Sequence, residues 1–130
     1  MRSNHTAVYY STSHSIYMFG GSSAPNTFHN DVIECNSDTY KLSVVPCNGS
    51  LPSKRTYHAS DIIHNLMLVY GGFDNEDRDD FWTLNLDSHN WKCIEIEGPH
   101  PPRKFHSLTV VGKNAYVFGG CIEKYQNKKY

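Results

Sequence analysis

The amino-acid sequence predicts an all-β chain: a partial β-propeller of four-stranded antiparallel blades, two complete and a third half complete. Two recurrences carry this reading. Tyr17-Met18-Phe19-Gly20-Gly21, Leu68-Val69-Tyr70-Gly71-Gly72 and Tyr116-Val117-Phe118-Gly119-Gly120 are three copies of one apolar run closed by a glycine pair. Ahead of each stands an Arg-x-x-His element: Arg2 to His5, Arg55 to His58 and Arg103 to His106. The two signatures recur together at a spacing of about 50 residues, the period of one four-stranded propeller blade. A sheet repeated in this way buries its faces only against neighbours on both sides. The 130 residues fall short of a closed ring, which needs at least about four blades of about 50 residues each. An ordinary antiparallel sandwich also has short strands and frequent turns, but it does not explain the paired recurrence.

In the first copy, residues 5–10 form a β-prone run, and a Ser/Thr/His turn covers 11–15. Ile16-Tyr17-Met18-Phe19 is a continuous apolar strand, suited to burial on both faces. Gly20-Gly21 ends it, because glycine tolerates positive φ and close backbone approach. A polar loop over 22–30 leads to strands at 31–35 and 40–45, and a Pro/Gly/Ser loop over 46–52 closes the unit. The second copy repeats the order. Strands at 57–63 and 66–70 end on Gly71-Gly72, an acidic loop covers 73–79, and a third strand covers 81–86. Asp87-Ser88-His89-Asn90 is a turn by composition, and 91–96 alternates as a half-exposed outer strand does. The third copy supplies strands at 105–111 and 115–118, closed by Gly119-Gly120. The total is ten strands. Blade 1 covers about 2–45, blade 2 about 55–96 and half blade 3 about 103–120, followed by a polar, Lys-rich tail at 121–130.

Bulk properties narrow the function. Twelve Lys and Arg nearly balance thirteen Asp and Glu, so no bulk charge recruits nucleic acid or an anionic membrane. No apolar stretch approaches the ~18–20 residues of a spanning helix. Met1 is followed by the polar Arg2-Ser3-Asn4-His5, a start that predicts no secretory segment. Cys35, Cys47, Cys93 and Cys121 form no C-x-x-C pair, and reduced thiols in a soluble, cytoplasmic protein are expected. There is no nucleophile elbow, no phosphate loop and no cysteine in a general-base context, so neither catalysis nor a cofactor is expected.

The residues quoted above resemble the kelch repeat, whose pattern runs Pro-x-x-Arg-x-x-His, a strand, an aromatic-rich strand ending Gly-Gly, a variable loop, Asp with a third strand, then a turn and a Trp opening the fourth. Pro52-Ser53-Lys54-Arg55-Thr56-Tyr57-His58 fits the opening, and Pro99-His100-Pro101-Pro102-Arg103-Lys104-Phe105-His106 lies close to it. Trp91 takes the fourth-strand position in the second copy and Tyr40 in the first, where the preceding turn is two residues shorter. Cys35 departs mildly, standing where an aromatic is usual. The resemblance implies a propeller whose first strands line a channel and whose fourth strands lie at the rim. It also implies a non-catalytic module that binds other proteins through loops on one face, here residues 22–30, 46–56, 73–79 and 97–104. Two alternatives stand beside it: a truncated piece of a larger kelch propeller without independent function, and a piece of a kelch-like metalloenzyme.

Individual residues then divide between scaffold and site. Arg2, Arg55 and Arg103 suit an acidic ligand, because a guanidinium fork binds carboxylates bidentately. Recurrence in every copy favours the other reading, in which each Arg ties its blade to the next through loop carbonyls. His5, His58 and His106 recur without a companion carboxylate or Cys, so structural hydrogen bonds are expected rather than metal ligation. Gly20, Gly21, Gly71, Gly72, Gly119, Gly120, Tyr40 and Trp91 complete the repeat signature. Specificity is expected in what does not recur. Arg55, Arg103, Phe28, His29, Phe73, Asp74, Glu76, Asp77, Arg78, Asp79 and His100 are the partner-binding candidates, and the acidic run calls for a basic patch on the partner. Self-association through open blade edges is a further expectation.

Overall fold

The computed structural model describes residues 1–122, so most of the expected tail (123–130) lies outside the described residues. Thirteen strands form in that span: β1 Thr6–Tyr10, β2 Ser15–Phe19, β3 Ser22–Ala24, β4 Thr27–Phe28, β5 Val32–Asn36, β6 Leu42–Val45, β7 Asn48–Gly49, β8 Ala59–Ile63, β9 Leu66–Phe73, β10 Asp77–Asn85, β11 Asn90–Ile94, β12 Lys104–Val111 and β13 Asn114–Cys121. They make a four-stranded sheet in the order β1-β2-β5-β6, a five-stranded sheet β7-β11-β10-β9-β8, a pair β12-β13 and a small hairpin β3-β4. The architecture is all-β and antiparallel except where β7 joins β11, a partial β-propeller.

Three strands escaped the sequence reading. The β3-β4 hairpin occupies the expected polar loop over 22–30. Short β7 crosses from the first sheet to the rim of the second, pairing parallel with β11 through Asn48↔Asn90 and Gly49↔Trp91. Two residues are too few to show periodicity. The acidic loop is also shorter than expected. β9 runs through Gly71 and Gly72 to Phe73, and β10 begins at Asp77, leaving a tip at 74–76. Asn75 takes the positive φ that the tip requires, and Arg78 Nε donates to Asp74 Oδ1 at 2.7 Å across the stem. The glycine pair therefore does not end this strand. The irregularity falls instead on the partner, as a bulge between Arg78 and Phe81.

Packing follows the alternation of each strand. Phe19, Val32, Met67, Val69, Leu84 and Trp91 belong to one buried cluster between the first and second sheets. Ala59, Leu68, Tyr70 and Leu108 form a second, between the second sheet and β12. Each fully buried large apolar side chain contributes about 1.5–3 kcal/mol. β9 is buried on both faces from Met67 to Gly72, as its continuous apolar run requires. β2 is not: Tyr17 and Phe19 are buried, while Ile16 and Met18 on the opposite face are half-buried. No described element covers that face, which corrects the expectation of burial on both sides. Every residue of β13 is exposed for the same reason.

The glycine pair has a steric cause. At Gly71 (φ +65°) a Cβ would stand 2.6 Å from Arg103 O and 2.8 Å from His106 Cε1, both on the next blade. At Gly72 (φ +104°) it would stand 2.8 Å from Thr56 O and 2.9 Å from His58 Cβ, on the same blade. The first glycine thus clears the following repeat and the second clears its own. Gly119 has the same backbone sign (φ +75°), yet nothing lies within 4 Å. Alanine at either Gly71 or Gly119 carries the left-handed penalty of about 1–2 kcal/mol, but only Gly71→Ala adds the clash. Urea unfolding is expected to show Gly71→Ala losing at least about 1 kcal/mol more than Gly119→Ala. Equal losses would show that clearance of the next blade is not what the first glycine provides.

Candidate functional site

Arg2 and Arg55 are spent inside their own blades. Arg55 is fully buried. Its Nη1 donates to Gly71 O at 3.0 Å and to Asp80 Oδ1 at 2.6 Å, Nη2 donates to Asp80 Oδ2 at 2.8 Å, and Ser53 takes the remaining bonds. The Trp82 indole also donates to Asp80, at 2.6 Å. Arg2 repeats the pattern more openly, bonding Gly20 O at 3.3 Å and pairing with Asp31 at 2.8 Å. Arg103 Nη1 donates to Gly119 O at 3.0 Å. For Arg2 and Arg55 the expectation that the side chain ties its blade to the next is therefore corrected, while the Arg103 side chain also lies against the Tyr70 hydroxyl of the preceding blade. The backbone makes that link, with Gly21 N donating to Arg55 O at 2.8 Å and Gly72 N to Arg103 O at 2.9 Å. Burial also removes Arg55 from the residues that can touch a partner.

The recurrent histidines reach backwards. His106 Nε2 donates to Tyr70 O at 3.0 Å, and His58 Nε2 shares a hydrogen bond with Thr6 Oγ1 at 2.9 Å. His5, at the start of the first sheet, is exposed. Burial, helped by the nearby Arg55 charge, drops the His58 pKa to about 3, and burial also lowers that of His106. Both rings are held neutral, as packing groups between sheets. Among the described residues no group of three or more His, Cys, Asp or Glu is placed to hold a metal ion.

The non-recurring candidates gather at the end of the molecule that carries the hairpins. Phe28 from the first sheet's loop meets Phe73 from the second edge-on, with ring centroids 6.0 Å apart. A cavity of about 440 Å³ opens beside them, lined by Ser3, Asn4, Asn26, Tyr57 and both phenylalanines among others. A second, of about 360 Å³, lies between Asn26, Phe28, Lys54, Asp74 and Asn75. Charges there are largely internal. Arg78 pairs with Asp74 at 2.7 Å, Lys104 approaches Asp77 at 3.5 Å, and Glu76 and Asp79 are the exposed acids of the run. His29 shares a hydrogen bond with Ser23 Oγ at 2.8 Å. His100 and Arg103 do not join this group; they line a separate groove between the second sheet and β13.

Sequence reasoning missed Tyr57 and Phe105, and it covered Lys104 only as the last residue of the expected binding loop 97–104. Lys104 Nζ sits 4.2 Å from the centre of the Phe73 ring, and the Tyr57 and Phe105 rings pack at a tilt of 44° with centroids 4.3 Å apart. Tyr57 and Phe105 share a left-handed backbone, with φ of 58° and 59°, an uncommon state for bulky residues. A signal existed. The two positions inside Arg-x-x-His read Ser3-Asn4, Thr56-Tyr57 and Lys104-Phe105, the variable part of a constant motif.

Acid should loosen this scaffold. Unfolded His58 takes up a proton below pH 6.5, while the folded ring refuses it until about 3. Stability is therefore complete above 6.5 and falls by up to about 1.4 kcal/mol per pH unit below it. At Asp80, burial raises the pKa, but the Arg55 hydrogen bonds and charge outweigh it and hold the carboxyl below 3.8. Its contribution is lost only as pH falls below that value. Urea unfolding across a pH series is expected to show His58→Gln flattening the decline between pH 6.5 and about 4. An unchanged slope would remove His58 as its source. Asp80→Asn, which leaves Arg55 charged and buried, should cost about 3–5 kcal/mol at neutral pH.

The sheets, the paired glycines and the arginine clamp define a kelch-type propeller unit. A family model, the KLHDC2/KLHL20/DRC7 Kelch-repeats domain, matches residues 1–130, and the chain belongs to the kelch-repeat family. Over 116 residues it is 31% identical to Tip elongation aberrant protein 1 of Schizosaccharomyces pombe, covering 85% of this chain and 10% of that protein. Over 125 residues it is 30% identical to Host cell factor 2 of Homo sapiens, covering 82% and 16%. Over 129 residues it is 26% identical to Kelch domain-containing protein 3 of Rattus norvegicus, covering 96% and 33%. The chain thus spans a third or less of the length of these relatives. Kelch repeats serve generally as protein-interaction modules.

Proposed function

We propose that this chain is a non-catalytic protein-interaction module that grips its partner at the hairpin-bearing end. The meeting of Phe28 and Phe73 carries the reading, since two loops from different sheets converge there beside two cavities. The residues are ones that do not recur between repeats, whereas the recurrent Arg and His are occupied in holding sheets together. A partner segment fitting this end presents an apolar side chain to the phenylalanine cavity and a basic group to Glu76 and Asp79.

A second reading, a segment of a larger propeller, is supported by the outer face of the first sheet. There Ala7, Met18, Ile33 and Val44 line up across β1, β2, β5 and β6, and Tyr9, Ile16, Cys35 and Leu42 form the next row. Leu42 and Val44 are 62% and 66% exposed. No described residue covers these rows.

Photo-crosslinking separates the binding end from the rest of the surface. A benzophenone amino acid at Asn26 or Asn75 is expected to capture a partner protein in cells. The same group at Ser88, in the turn at the opposite ends of β10 and β11, should not. Equal capture from all three positions would sink the assignment of the hairpin end.

A further inference from the structure

One position of the repeat carries strain that packing does not explain. The residue before each recurrent histidine is left-handed in all three copies: Asn4, Tyr57 and Phe105 have φ of 57°, 58° and 59°. Asn tolerates that state, whereas a bulky aromatic is destabilised by it. Burial compensates little at Phe105, which is 60% exposed, and Tyr57 is only half-buried. Such strain clusters at ligand-binding sites, where the surrounding structure holds it.

The three residues are neighbours in space. Phe105 N donates to Tyr57 O at 3.2 Å, and the two rings pack with centroids 4.3 Å apart. Tyr57 shares with Asn4 the lining of the cavity of about 440 Å³, to which Phe28 and Phe73 also contribute. Aromatic surface therefore runs from Phe28 and Phe73 through Tyr57 to Phe105. The cavity carries no charge: among the described residues its lining is serine, asparagine, alanine, proline and the three rings. Lys104 lies over Phe73 but does not line it, and Lys54 and Asp74 belong to the adjoining cavity. A charged occupant would be desolvated there without a counter-charge. The Tyr57 hydroxyl and the Asn26 side-chain amide make no hydrogen bond among the described residues, so unspent donors stand beside the rings.

An occupant that fits is neutral, apolar along its sides and rich in unused acceptors. A helix arrives with its carbonyls already bonded. A proline-rich segment meets all three conditions. Its prolines have no N–H donor, its carbonyls are free in the polyproline II conformation, and it is extended before it binds. Aromatic grooves recognise such segments in other folds. We propose that Tyr57, with Phe105 beside it and Phe28 and Phe73 across the cavity, docks an uncharged, proline-rich segment of the partner. Proline rings pack on the aromatic row, and Tyr57 and Asn26 donate to the segment's carbonyls. The strained backbone at Tyr57 and Phe105 is what presents both rings to it. Binding of this kind rests on the hairpin end being the interaction surface; what is added is the chemistry of the occupant.

A labelled octaproline peptide tests this by fluorescence anisotropy against the 130-residue chain, with a Gly/Ser peptide of equal length as control. Saturable binding of octaproline alone is expected. Tyr57→Asn and Phe105→Asn bring to the second and third copies the residue type that the first already carries. Each should weaken binding about tenfold while raising the urea midpoint of unfolding. No saturable octaproline binding, or equal affinity for both peptides, overturns the assignment of the occupant. Variants that bind as well as the parent, or that lose binding and stability together, overturn the role of the strained rings. Crosslinking from Asn26 that succeeds while octaproline fails strikes only the proline-rich occupant and leaves the hairpin end as the binding surface.

Discussion

Arg55 is a cation with no access to water, and the middle of the molecule is arranged around that constraint. A buried guanidinium is tolerable only when its charge is balanced and its donors are met. Asp80 supplies the charge in a bidentate fork, and Gly71 O and Ser53 take what remains. The clamp joins three places in the chain: the segment before β8, the end of the apolar run in β9 and the hydrogen-bonded start of the third strand. All three lie where the hairpin leaves the sheet. The variable tip at 74–76 therefore rises from a rigid base, although its own sequence is polar and irregular.

The same economy governs the contact between sheets. Backbone carbonyls of Arg55 and Arg103 receive the amides of Gly21 and Gly72 from the sheet before, which demands an approach that no Cβ permits. A neutral imidazole then closes the gap. Phe19 packs edge-on against His58 at 5.3 Å, and Tyr70 does so against His106 at the same distance. The Arg2–Asp31 and Arg55–Asp80 pairs balance charge within a blade, whereas Lys104 and Asp77 pair across an interface, where packing and backbone bonds also run. A repeat built this way leaves an apolar face wherever a neighbour is missing, as Leu42 and Val44 show.

The hairpin end inherits its geometry from this scaffold and its chemistry from residues outside the motif. Phe28 and Phe73 were both legible as loop aromatics, but their meeting was not, since it depends on how two sheets sit side by side. Lys104 shows the converse. It fell at the end of the expected binding loop 97–104 without being singled out, yet its ammonium lies over Phe73. Arg55 and Arg103 were indistinguishable as sequence positions. Burial separates them, because Arg55 has a carboxylate on β10, the third strand of its repeat, and Arg103 has none among the described residues.

By itself the amino-acid sequence determined the repeat, the strand order within each repeat and the identity of the residues that had to be glycine, arginine or histidine. Each of those is a local demand of backbone conformation or alternation, renewed at every copy, so repetition alone exposed it. The tertiary structure decided which faces are covered, which charges are spent and which loops meet. These depend on contacts between sheets some fifty residues apart in the chain. β7 is the clearest case: two residues with no strand-like pattern become a strand only because the rim of the next sheet offers them a partner.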